Sequence, residues 1–67
     1  MLNMRKRIAA AHAHYAQKQE QSAQLRAAIA TGGSYALWRA AIAEEDAAKQ
    51  RLQRLYAEAG YADVVVD

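Results

Sequence analysis

Gly32 and Gly33 stand side by side near the middle of a 67-residue chain that contains no proline. On both sides of them the chain is rich in Ala, Gln, Arg, Glu and Lys, residues that give up little freedom on entering a helix. Thr31-Gly32-Gly33-Ser34 is therefore the one strong internal break. Gly32 can take the left-handed conformation that closes a helix, and Ser34 can accept a backbone N–H to open the next one. Two long helices joined by so short a turn must fold back on each other. The pattern predicts an all-α chain, an antiparallel two-helix hairpin with helices at about 3–31 and 35–59. Gly60 marks the second stop, which divides the chain into a hairpin domain, 1–61, and a tail, 62–67.

Both helices carry a seven-residue rhythm. Met1, Ile8, Tyr15, Ser22 and Ile29 recur in the first, with Met4, Ala11, Lys18 and Leu25 between them. Tyr35, Ile42, Lys49 and Tyr56 recur in the second, with Trp38, Glu45, Leu52 and Ala59 between. Such a repeat makes a coiled-coil-like seam. Its expected members are Ile8, Tyr15, Leu25, Ile29, Trp38, Ile42, Leu52, Leu55 and Tyr56. Leu37, Ala41, Ala48 and Leu55 lie beside the second stripe and widen it. A stripe that broad suits a helix with two neighbours, so the hairpin is expected to dimerise into a four-helix bundle. Lys18, Glu45 and Lys49 interrupt the seam as a polar layer, with Lys18 facing Glu45 and Asp46, and Glu45 spaced one turn from Lys49. Either the layer is paired and sets register, or the seam opens to solvent there.

Size makes a partner necessary. Small chains bury a small share of their surface, and with no cysteine neither a disulfide nor a thiolate metal site can compensate. Of the 54% hydrophobic residues, half are alanine, whose methyl group buries little. Larger apolar side chains contribute roughly 1.5–3 kcal/mol each only when fully covered, and a lone hairpin cannot cover most of them.

Catalysis is not expected. His12 and His14 are two apart on a helix and point in different directions, so they do not share a metal. Glu44, Glu45 and Asp46 are consecutive and fan out around the helix. No nucleophile–base pair stands out, and no cofactor or metal is implied. Arg5, Lys6 and Arg7 begin the first helix while Arg51 and Arg54 lie near the end of the second, so the open end is expected to be a basic pole. Such a pole suits phosphates or an acidic protein partner. The net charge is only +2, and Glu58, Asp63 and Asp67 share that end, which ranks nucleic acid below protein. Tyr35 and Trp38, one turn apart after the loop, suit a core, a dimer seam or an external anchor. The Val64-Val65-Val66 tail is read first as a frayed terminus, with packing over the open end or pairing with a partner's strand as alternatives. No apolar run nears the ~18 residues that span a bilayer, and Ile8–Ala16 makes a poor signal-peptide core, so a cytoplasmic, unprocessed chain without membrane contact is expected.

The stretch Gly32-Gly33-Ser34-Tyr35-Ala36-Leu37-Trp38 between two amphipathic helices loosely resembles the small co-chaperones of type III secretion needle subunits. Those are helical hairpins with a Gly-containing turn followed by a Tyr-x-x-Trp-like pair. The resemblance implies an obligate partner of a larger helical-repeat chaperone. It covers about seven residues, and Glu45 and Lys49 depart from it where that family favours aliphatic residues. The layout is also similar in architecture to plasmid-encoded hairpins that dimerise into four-helix bundles and bind RNA. The residues themselves point first to a small non-enzymatic adaptor or inhibitor of a larger regulatory protein, in a bacterial or phage setting. The contacts expected for it are Arg5, Lys6, Arg7, Arg51, Arg54 and Tyr35.

Overall fold

The computed structural model describes residues 3–66; Met1 of the first heptad stripe, Leu2 and the terminal Asp67 lie outside the described residues. Two helices pack against each other, α1 over Met4–Ile29 and α2 over Tyr35–Glu58, within two residues of the expected bounds. Each begins at a side-chain cap. Asn3 Oδ1 accepts from the Lys6 amide at 2.9 Å, and Ser34 Oγ accepts from the Leu37 amide at 3.2 Å, each satisfying a donor that has no partner within its helix.

Both helices also end in the same way. Gly32 has φ +95° and Gly60 has φ +91°, the left-handed conformation that an L side chain resists. Around Gly32, the Gly33 amide reaches Ala28 O at 2.7 Å and the Gly32 amide reaches Ile29 O at 3.2 Å. Around Gly60, the Tyr61 amide reaches Tyr56 O at 2.8 Å and the Gly60 amide reaches Ala57 O at 3.1 Å. These paired bonds satisfy the last carbonyls of each helix. Gly33 is needed for a second reason: a Cβ there would lie 2.7 Å from Ala28 O.

The helix seam runs through Ala11, Tyr15 and Ser22 of α1 and Ala41, Ala48, Leu52 and Leu55 of α2. The core is concentrated in the half away from the turn, where Ala11, Tyr15, Ala48, Leu52 and Leu55 cluster with Met4, Ile8 and Tyr56 packed against them. Among the described residues, Leu52 alone of the large side chains is completely covered, at 0% exposure. Leu25, Ile29 and Trp38 are half-buried nearer the turn. Two expectations change here. Ile42 is 41% exposed and does not lie in the seam between the two helices, and Leu37 is exposed as well. At 100° per residue, Ile42 and Leu55 lie about 140° apart around α2, too far for one stripe to bury both. The helix buries Leu55 with Ala41 and Ala48, which brings Ile42 to the flank.

Leu52→Ala is expected to lose about 2–5 kcal/mol, read as a fall in the midpoint of thermal or urea unfolding followed by helicity. Gly33→Ala should lose about 1–3 kcal/mol, because the new methyl group forces Ala28 O away. A Gly33→Ala chain as stable as the parent would show that the turn is not held in this form.

Candidate interaction surfaces

Among the described residues no three His, Cys, Asp or Glu side chains are arranged to hold a metal. What the hairpin does present is a set of surfaces of distinct chemistry.

At the level of the expected polar layer, pairing occurs but with other partners. Lys18 Nζ lies 3.7 Å from Glu44 Oε1, not beside Glu45 or Asp46. Glu45 is hydrogen-bonded to the buried Ser22 hydroxyl, which also lies 3.0 Å from Gln19 O. Asp46 Oδ2 accepts from Gln50 Nε2 at 2.8 Å. Glu45 and Lys49 do not form the expected one-turn pair; among the described residues the ion pairs are Lys18–Glu44 and Arg7–Glu58. The small Ser22 side chain leaves room for the Glu45 carboxylate to enter the seam and gives it a donor, which a half-buried anion requires.

At the open end, Arg7 Nη2 lies 3.8 Å from Glu58 Oε2, with both side chains largely exposed. Met4, Arg5, Ile8, Glu58, Ala59 and Tyr61 line a shallow groove beside this pair. Lys6 and Arg54 are exposed. Arg51 does not join this group; it lines a depression with His14, Lys18 and Glu44 further along the hairpin. The expected basic pole is thus spread along the molecule and partly neutralised by Glu58 and Glu44.

The tail folds back, against the frayed reading. After the Gly60 turn, the Val64 amide reaches Tyr61 O at 3.0 Å. The Gln53 carboxamide then holds the chain at two points, donating to Val64 O and accepting from the Val66 amide at 2.8 Å. Val66 is left 7% exposed as a member of the core cluster. The tail lies along a groove lined by His12, Tyr15, Ala16, Gln19 and Tyr56. His12 Nε2 and the Tyr56 hydroxyl share a hydrogen bond of 2.9 Å at its edge, with the rings edge to face at 6.0 Å. Both histidines are exposed, and His12 bridges the two helices.

At the turn end, the aromatic pair is extended at both sides by arginine. The Arg26 guanidinium lies 5.3 Å from the Trp38 ring centroid, Tyr35 and Trp38 are 5.4 Å apart, and Arg39 lies 6.0 Å from Tyr35. Trp38 is half-buried while Tyr35 is 59% exposed. Tyr35, Trp38, Arg39, Ile42, Ala43 and Asp46 together line a second shallow groove. No helix among the described residues is long and apolar enough to cross a membrane.

Compared with models of known families, with curated proteins and with solved structures, the chain matches none of them. The likeness to needle-subunit co-chaperones accordingly rests on the residues from Gly32 to Trp38 alone.

The sequence pattern places Ser22 in the heptad stripe without its bond to Glu45, and gives no sign of the Gln53 contacts or the His12–Tyr56 bond. Three consecutive β-branched residues drew attention to the tail, yet no periodicity marks the Gln side chain that reads its backbone. Gln53→Ala is expected to release the tail with both helices intact. The checks are faster amide exchange at Val66 and cleavage within 62–66 by a protease that spares the parent; unchanged protection would mean that apolar contacts alone hold it.

Proposed function

We propose that this chain is a small non-enzymatic protein–protein interaction module. It acts as an adaptor or inhibitor that associates with a second copy of itself and occupies a surface on a larger regulatory protein, in a bacterial or phage setting. The observation that carries the reading is the imbalance between its core and its surface. Among the described residues Leu52 is the one large side chain fully covered, while Tyr35, Leu37, Ile42, Tyr61 and Val65 are exposed. Isolated surface apolar residues need no explanation, but contiguous ones beside polar rims mark association sites. For the larger partner the open-end groove is the better fit. Met4, Ile8 and Tyr61 supply apolar area, and Arg5 stands at its edge for an acidic side chain.

The obligate co-chaperone reading makes the same demand for a larger partner and differs in the free chain, which should then be a poorly helical monomer. Binding to nucleic acid through the basic residues is less well supported, because Arg7 faces Glu58 and Arg51 stands apart from the open end.

The test is capture from the native cells with the immobilised chain, alongside Arg5→Glu and Tyr61→Ser. A protein retained in stoichiometric amount by the parent and lost by both variants at unchanged helicity is the expected result. Retention of nucleic acid in place of protein, or no difference between parent and variants, refutes the open-end assignment.

A further inference from the structure

We infer that the turn-end face of α2 is a self-association surface, on which a second copy of this chain lies antiparallel about a twofold axis beside Ile42. The inference rests on the association reading above and adds its surface, orientation and register.

The face is defined by spacing. Tyr35, Ile42 and Asp46 fall within about 40° of one another around the helix, with Arg39 a further 20° on. Tyr35, Ile42 and Arg39 are exposed, and they share one groove with Asp46 and the small Ala43. Ile42 and Ala43 hold the middle of this strip, with Arg39 on one side, Asp46 on the other and Tyr35 at its end, an apolar centre flanked by opposite charges.

The charges identify the occupant. Arg39 lies three residues before Ile42 and Asp46 lies four after it. When two copies of α2 run antiparallel past each other at Ile42, Arg39 of each copy therefore falls opposite Asp46 of the other, once on either side of the axis. In the parallel arrangement like charges meet instead. A foreign partner has no reason to require charges of opposite sign disposed symmetrically about an apolar residue, whereas an isologous dimer requires that self-complementarity. Each charge is also steadied within its own helix, Arg39 against the Tyr35 ring and Asp46 by Gln50, which lowers the entropy lost on pairing. Ala43 beside the axis lets the two backbones approach.

The chain has no cysteine, so a single introduced thiol reports on the axis without background. Ile42→Cys should form a disulfide-linked dimer on mild oxidation, because a residue beside a twofold axis meets its own copy. Ala40→Cys, on the far side of α2, should not. Light scattering across the micromolar range should give a mass near twice 7.4 kDa. Arg39→Asp and Asp46→Arg should each weaken the dimer about tenfold at unchanged helicity, and the double reversal Arg39→Asp/Asp46→Arg should restore it. A dimer that neither links at residue 42 nor responds to the reversals overturns this surface and leaves the association reading standing. A helical monomer throughout overturns the dimer, while the capture experiment separately decides the larger partner.

Discussion

Two packed helices can cover one stripe of each other and no more. This hairpin has apolar side chains on more than one stripe of α2, so its structure is governed by which of them turn inward. Ala41, Ala48, Leu52 and Leu55 do so, and Tyr15 comes across from α1 to meet them. Leu55 and Ile42 cannot both be satisfied by one neighbour, since they are separated by more than a third of a turn. Once Leu55 is inside, Tyr35 and Ile42 form a flank. The result is a hairpin with a well-filled half around Leu52 and a thin half near the turn, where Leu25, Ile29 and Trp38 stay half-exposed.

The tail adds a third layer to the well-filled half. Val66 enters the core cluster, and Gln53 satisfies the carbonyl and the amide of an extended stretch that has no strand to pair with. A buried backbone donor without a partner is costly, so the Gln53 carboxamide that accepts from the part-buried Val66 amide makes the packing of Val66 tolerable. Gln53 lies eleven residues after Ile42, about 20° around the same helix. The tail therefore covers one half of a continuous face whose other half carries Tyr35 and Ile42. The same face is closed by the chain itself near the open end and left open near the turn.

Much of this was legible in the sequence because the signals were local. The glycine pair, Ser34 and Gly60 act on backbone atoms within a turn of themselves, and the helices end within two residues of where those residues put them; the Asn3 cap that opens α1 is equally local but is not among the residues the sequence pattern marks. The seam was legible only in part. A strict seven-residue count admits Ile42, Glu45 and Leu52 equally, but a straight helix of 3.6 residues per turn drifts against that count. Packing then settles the rotation, and no single-sequence periodicity encodes it. The partners within the polar layer escape the sequence for a related reason. Lys18 was placed opposite Glu45 by sequence distance from the turn, but the small Ser22 takes that carboxylate and Lys18 meets Glu44. Tertiary hydrogen bonds such as Gln53 to the tail leave no periodic trace at all.

The Ser22–Glu45 pair has a consequence beyond its own stability. A half-buried carboxylate keeps its place in the seam only while a donor faces it, so sliding α1 past α2 by a turn strands it. The pair lies between the filled half and the thin half, where apolar packing alone fixes the register weakly. An apolar pair there would contribute more burial but would tolerate a slip. By holding register where the core is weakest, Glu45 keeps Trp38 near Arg26 and Tyr35 at the outer edge, so the exposed face of Tyr35 and Ile42 is presented in one fixed arrangement. Preorganisation of this kind reduces the ordering lost when a partner arrives. On the proposed association, a thin, polar-pinned turn end is the condition under which a small surface can bind in a single geometry.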